Sequence, residues 1–417
     1  MTHKLMDAEQ ALALIREHSP APVVETCRVD EAAGRILHAD AASTETLPPF
    51  DNSAMDGFAL GGGAEPVAAG TELAIEGEQA AGSLAARGGS GAFEIMTGAR
   101  MPDGLDRVIP VENTERLDNP PRVRLNSDVA RHQNVRHAGT DVRKGQAVLA
   151  AGTQLEPRHI MLAAALGMAQ LPVAARPRVA AISTGRELVD DPGQALVSGQ
   201  IRNSNGPYLA AGVPQAGAEL VHQATVGDNA DAFIAEVKHA REAGAQLLVS
   251  TGAVSMGRYD FIPQAVEQLG GEILFHKLAI RPGMPMLFAR LGEGTLFFGL
   301  PGNPASAAMG MRFFVEPAIR HMLGLPPERP WRVPLKADYV QKRRMRYHLK
   351  ARLGLQADGR LAVEVLPGQQ SYRIRPLADA NAWVVTPPDT TALAAGALVD
   401  VYGHSHLQPP YPEVEIA

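Results

Sequence analysis

Val179-Ala180-Ala181-Ile182 running into Ser183-Thr184-Gly185, Leu247-Leu248-Val249 into Ser250-Thr251-Gly252-Ala253-Val254-Ser255-Met256-Gly257, and Leu296-Phe297-Phe298-Gly299-Leu300 into Pro301-Gly302-Asn303-Pro304 share one pattern. Each apolar run breaks into a small-residue turn that opens a helix-like stretch. If the runs are neighbouring parallel strands, all three turns lie at the carboxyl edge of one sheet, where backbone N–H groups and helix N-termini converge on an anion. The pattern predicts an α/β domain that holds a phosphorylated ligand.

Around this unit, strand-like segments at 220–226, 246–249, 272–275 and 296–300 alternate with helix-like segments at 206–211, 231–243, 261–269 and 304–323, which argues for a mostly parallel sheet with helices on both faces. Leu325-Pro326-Pro327-Glu328-Arg329-Pro330 reads as a stiff linker. Beyond it, short strand-like runs predict a small β-barrel or sandwich over 330–417. Upstream, residues 1–47 read as mostly helical, with Asp7 and Gln10 forming a capping signal. Pro48-Pro49 and the Asp51 to Asp56 cluster end that pattern, and glycine-separated apolar runs predict an inserted β-rich domain over 48–141. A helix at 157–166 suggests that 142–175 packs back on 1–47 as one discontinuous domain, with the α/β domain spanning 176–325.

With 417 residues the chain has room for roughly three domains of about 100–200 residues each. A net charge of -6 and 5% aromatic residues argue against nucleic acid as a partner. The single cysteine, Cys27, excludes an intrachain disulfide and a Cys-x-x-Cys site. No stretch reaches the ~18 apolar residues of a membrane span, and the N-terminus lacks a signal peptide's apolar core, so a cytoplasmic location is expected.

The chemistry concentrates in the turns. Glycines at 252 and 257, with successive N–H groups and hydroxyls, can cradle phosphate oxygens. Asp260 opens the next helix and has two readings, as a cap that complements the helix dipole or as a ligand for Mg2+. Lys277 and Arg281 place two cations near the same edge, either as a solvated pair or as an oxyanion pocket. Pro301-Gly302-Asn303-Pro304-Ala305-Ser306 fixes the backbone before a helix. Asp51 and Asp56 read first as turn residues, and His404-Ser405-His406 as exposed residues on a terminal strand without a third metal ligand.

Together these segments resemble the molybdopterin molybdenumtransferase family, known as MoeA in bacteria and matched by the E domains of plant and animal cofactor-assembly proteins. The resemblance rests on seven ordered segments. These are Pro49 to Gly57, Ile95 to Ala99, Gln133 to Arg136 with Gly139 and Asp141, Ser183 to Gly185 with Glu187-Leu188, Gly252 to Asp260, Lys277 to Ile280, and Gly299 to Pro304. It implies a central three-layer α/β domain like MoaB and MogA, and a homodimer in which the inserted domain of one subunit brings Asp56 to the 252–260 loop of the other. It implies conversion of adenylylated molybdopterin and molybdate, with Mg2+, to molybdenum cofactor and AMP, and contacts with other cofactor-assembly proteins. Carried over by position, Asp56, Asp260 and Lys277 are the catalytic candidates, and Asp260, Glu187 and Asp56 the metal candidates. Substrate binding falls to Ser183, Thr184, Gly185, Ser250, Gly252, Val254, Ser255, Gly257, Pro301, Gly302, Asn303, Pro304, Ser306, Arg281 and Arg346.

The chain departs from the family's text at four places. Arg186 stands where an aspartate is usual, Asn203 where an acid is common, Ala253 for a frequent glycine, and Met284 for a frequent lysine near the molybdate pocket. Either Glu187 and Asp260 suffice for the metal or activity is reduced. Two alternatives follow: a non-catalytic molybdopterin-binding carrier or scaffold, and the related molybdopterin adenylyltransferase. The β-rich domains argue against the adenylyltransferase.

Overall fold

The computed structural model describes residues 5–254 and 261–414. The chain divides into two compact units, one of Met1–Glu25, Gly34–His38 and Val173–Ala417, the other of Thr26–Ala33 and Ala39–Pro172.

The first unit holds a six-stranded sheet of β1 (Arg178–Thr184), β2 (Glu219–Val226), β3 (Leu247–Thr251), β4 (Glu272–His276), β5 (Leu287–Leu291) and β6 (Thr295–Leu300), in the order β2-β1-β3-β6-β5-β4. β2, β1, β3 and β6 are parallel, and β5 runs antiparallel to both β6 and β4. The sequence patterning identified five of these strands and missed β5, which returns into β6 through the tight Gly292–Gly294 turn. Side chains alternate across a strand, so β1 and β3 feed two separate cores. Val179, Ala181, Leu247 and Val249 pack with Leu209 and Val213 of α1 (Asn205–Gln215) on one face. Ala180, Ile182 and Leu248 pack with Phe233 and Val237 of α2 (Ala230–Glu242) and with Ala265 and Val266 of α3 (Ile262–Gln268) on the other. Both faces are dry, which explains why the strands read as unbroken apolar runs. Each fully buried Leu, Val or Phe contributes about 1.5–3 kcal/mol to holding the three layers together.

After β6 comes one helical run, α4 (Pro304–Gly310) continuing through a π-helical turn, Met311–Val315, into Glu316–Met322. The C-terminal strands Trp331–Pro334, Leu398–Tyr402, Ala382–Val385, Arg346–Leu355 and Leu361–Val365 pair antiparallel in that order. Leu335 bridges Val363, and the Lys336 N–H donates to the Val363 carbonyl at 2.8 Å, closing the expected small barrel. Ile280–Arg281 adds to it parallel to Arg346-Tyr347.

Residues 1–47 are not mostly helical. Among the described residues they hold one α-helix, Ala8–His18, followed by short strands and a 3-10 turn. Asp7 caps that helix by accepting the Glu9 N–H at 2.7 Å, and Ala8, Ala11 and Ile15 join the α/β core. The second unit is the β-rich one, with a six-stranded sheet that runs Arg107–Pro110, Gly57–Leu60, Ala92–Ile95, Glu72–Gln79, Pro121–Leu125, Thr114–Asp118. Its helix Pro157–Ala165 packs on Val29–Glu31. Among the described residues no helix is long and apolar enough to cross a membrane.

Candidate functional site

The three turns meet as the sequence pattern predicts. Ser183 pairs with Thr251 and Thr251 with Leu300 across parallel strands, so the carboxyl ends of β1, β3 and β6 lie side by side. Two bonds lock them there. Thr184 Oγ1 donates to the Thr251 carbonyl at 3.0 Å, and the Gly252 N–H donates to the Leu300 carbonyl at 3.0 Å. Gly252 has φ +96°, and a Cβ there would lie 2.6 Å from the Thr184 carbonyl oxygen, so only glycine permits this approach. Ala253 follows at φ +49°, a positive φ that strains a residue with a Cβ.

A cavity of about 860 Å³ opens on this edge, lined by Thr184, Gly185, Gly252, Ala253, Val254 and the Pro301 to Pro304 turn. Glu187 and Asp228 bring carboxylates to it. Asp228 was missed by the sequence reading, although Val226-Gly227-Asp228-Asn229 repeats the strand–turn–helix pattern at the end of β2. Arg186 is exposed, with Nε 3.9 Å from Asp228 Oδ2. Two carboxylates beside the glycine turns suit Mg2+, which takes one or two carboxylates and completes its shell with water and substrate oxygens. Among the described residues no group of three or more potential ligands forms a self-sufficient metal cage.

A second cavity of about 450 Å³ shares Pro285, Pro301 and Asn303 with the first. Arg281, Lys342 and Arg343 give it positive charge, Ser306 supplies a hydroxyl, and Met284 lines it as an apolar group. Tyr347 and His348 also line it, and Tyr347 Oη and His348 Nδ1 are buried without a hydrogen-bond partner. Burial, with Arg346 and Arg312 nearby, pushes the His348 pKa down to about 3, so its ring is neutral. The Gln341-Lys342-Arg343-Arg344 run was the sequence signal for this cavity, and it was passed over.

The remaining candidates are spread more widely. Ser183 and Ser250 are buried and line neither cavity. Ser250 Oγ has no partner. Lys277, at φ +81°, and Arg346, whose Nη2 lies 2.7 Å from Glu9 Oε1, also line neither. Ser255, Gly257 and Asp260 lie outside the described residues. Asp56 belongs to the other unit, exposed, with Oδ1 accepting the Thr97 N–H at 2.6 Å, a bond that holds its carboxyl below the usual range. Asp51 Oδ1 accepts the Ala138 N–H at 2.8 Å. His404 and His406 are not exposed: His404 Nε2 lies 2.9 Å from the Ala380 carbonyl and His406 Nε2 2.9 Å from that of Ala216, both shielded from solvent. These contacts secure the chain after the strand Leu398–Tyr402, a role that residue spacing does not reveal.

Comparison with known proteins matches three stretches of the chain. Residues 6–167 match the profile of the MoeA N-terminal region (domain I and II), 180–321 that of a probable molybdopterin binding domain, and 332–403 that of the MoeA C-terminal region (domain IV). A molybdopterin molybdenumtransferase of Synechococcus elongatus is 36% identical over 398 residues, 93% of this chain and 96% of its own. Molybdopterin molybdenumtransferase 2 of Mycobacterium tuberculosis is 36% identical over 409 residues, 93% of this chain and 98% of its own. The crystal structure of the molybdopterin biosynthesis moeA protein from Pyrococcus horikoshii OT3 superposes with a TM-score of 0.77 at 26% identity, covering 95% of this chain and 99% of that one.

Proposed function

The chain belongs to the MoeA family of molybdopterin molybdenumtransferases, and from that premise we propose that it converts adenylylated molybdopterin and molybdate to molybdenum cofactor and AMP. The observation that carries this reading is the pair of contiguous cavities sharing Pro285, Pro301 and Asn303. One is walled by glycine turns and carboxylates, the other by cations and hydroxyls.

The larger cavity takes the adenylylated pterin. The turns after Gly252 and Gly302 line it and are where its phosphates are held, and Thr184 Oγ1 ties its own turn to that of Gly252 through the Thr251 carbonyl. Glu187 and Asp228 would hold Mg2+, with Asp260 as the ligand the family resemblance adds, and the ion would offset phosphoanhydride charge. The smaller cavity takes the tetrahedral dianion, with Arg281 supplying a planar fork and Ser306 a hydroxyl. Lys277, in the link that leads into Ile280–Arg281, and Arg346, paired with Ile280, act from outside both walls.

Asp56 enters from a second copy of the chain in a cytoplasmic homodimer. Phe50, Met55 and Met96 are exposed apolar residues close to it in sequence or across the Thr97 hydrogen bond, as a surface that meets a partner requires. The test is AMP release and active cofactor formation by purified protein given adenylylated molybdopterin, molybdate and Mg2+. Absence of both would discard the insertase reading.

Arg186, an exposed cation beside Asp228, favours a carrier as the second reading. Calorimetry separates the two: pterin binding indifferent to Mg2+, with no turnover, is the carrier's signature.

A further inference from the structure

Lys350 sits in the barrel strand Arg346–Leu355, where Tyr347, Leu349, Ala351 and Leu353 fill the barrel core. Lys350, on the alternate face, is only 2% exposed. A buried ammonium costs several kcal/mol unless each N–H finds an acceptor. No carboxylate pairs with this one among the described residues. Instead Nζ donates to the carbonyls of Gly368 at 2.8 Å, Gln370 at 3.3 Å and Arg373 at 3.4 Å. The same loop also grips the lysine's backbone. Gln369 Oε1 accepts the Lys350 N–H at 3.0 Å, and Gln369 Nε2 donates to the Lys350 carbonyl at 2.8 Å and that of Leu366 at 2.7 Å, an amide standing in for a neighbouring strand.

That loop is a wall of both cavities. Gln369, Gln370 and Ser371 line the smaller, Tyr372 and Ile374 the larger. Between them the Ser371 carbonyl accepts the Ala305 N–H at 2.9 Å, tying the loop to the first turn of α4 directly after Pro301 to Pro304. Lys350 itself touches neither cavity.

We propose that Lys350 is a positioning residue for the two-substrate reaction, its buried ammonium drawing residues 368–374 into the one conformation that serves the nucleotide and oxyanion subsites together. This rests on the functional reading above. Removing the three bonds frees both walls at once, so the two substrates lose affinity together. A lysine that only stabilised the barrel would lower the unfolding midpoint and leave the folded enzyme's substrate constants alone.

The test is steady-state kinetics of the full-length K350M and K350R variants. K350M is expected to raise KM for both molybdate and adenylylated molybdopterin at least threefold with a smaller change in kcat, and K350R, which keeps the charge and donors, to recover part of both. A smaller rise for either substrate, or no recovery, overturns the proposal. If K350M does not fold, hydrogen exchange on the native protein decides. AMP alone and molybdate alone should each slow exchange of the 366–374 peptide, and protection by only one or neither overturns it. If the native protein releases no AMP from adenylylated molybdopterin, the insertase reading fails. The exchange experiment, which needs binding and no turnover, then still judges whether Lys350's loop joins the two subsites.

Discussion

Asn203 Nδ2 donates to Asp190 Oδ1 at 2.9 Å, so the acid common at position 203 in the family is replaced by the amide that an acid at position 190 requires. The amide is fully used. Nδ2 also donates to Thr225 Oγ1 at 3.1 Å, and Oδ1 accepts the Gly206 N–H at 2.9 Å at the start of α1. N203D would keep the Gly206 bond and turn the Asp190 contact into two facing carboxylates. The expected cost is about 1–2 kcal/mol at neutral pH from the lost donor. The folded pair would hold a proton more tightly than the unfolded chain, so the deficit should grow as pH rises and shrink in acid. Urea midpoints at pH 7.5 and 4.5 check both sign and slope; equal deficits would discard the charge argument.

Ala253 at φ +49° occupies a conformation that costs a residue with a Cβ roughly 1–2 kcal/mol, whereas glycine adopts it freely. Glycine also gains entropy in the unfolded chain, which cancels about 0.5–1 kcal/mol of the relief. A253G should therefore raise the thermal midpoint slightly or leave it level. The neighbouring G252A should do the reverse and severely, because its Cβ would meet the Thr184 carbonyl oxygen at 2.6 Å as well as a positive φ. Thermal unfolding of the two variants side by side measures the contrast.

How far the sequence could be read follows from these same residues. The carboxyl edge was legible because glycines and prolines end apolar runs there, and backbone conformation is a local property. Ala253 stood out there as a replacement for a frequent glycine, and its strain became visible only with its φ of +49°. Tyr347, His348 and Lys350 were not legible, since alternation in a strand gives two faces without saying what each one meets. Asp228 lies in the turn after a strand that carries polar residues at His222, Gln223 and Thr225, so that turn drew no notice beside the three that follow apolar runs.

Burial sets a pH window for stability. His406 and His348 are held at about 3, below the ordinary 6.5, because each is buried near arginines. A depressed histidine contributes stability that is present above pH 6.5 and is lost as pH falls toward 3. Glu316 has the opposite sign. Burial pushes it up to about 8 from 4.5, against the opposing pull of Arg312 and the His406 N–H. Its contribution is complete below pH 4.5 and is lost as pH rises through 8. Urea midpoints from pH 4 to 9 should fall at both ends, with H406Q flattening the acid side and E316Q the alkaline side. An alkaline slope unchanged in E316Q would remove Glu316 from the account.

Arg186 tests the metal. It lies between Gly185 and Glu187 of the larger cavity's lining, with Nε 3.9 Å from Asp228 Oδ2, where an aspartate is usual in the family. R186D changes the local charge by two units and adds a hard oxygen donor beside Glu187 and Asp228, and Mg2+ affinity rises with the number and charge of such donors. The exposed Arg186–Asp228 pair is screened by solvent, so its loss should leave the unfolding midpoint unchanged. The expected result is a several-fold lower Mg2+ concentration for half-maximal AMP release, with a higher rate at limiting Mg2+ and the same rate at saturation. A Mg2+ profile that does not move would mean that the guanidinium neither repels the ion nor occupies its place.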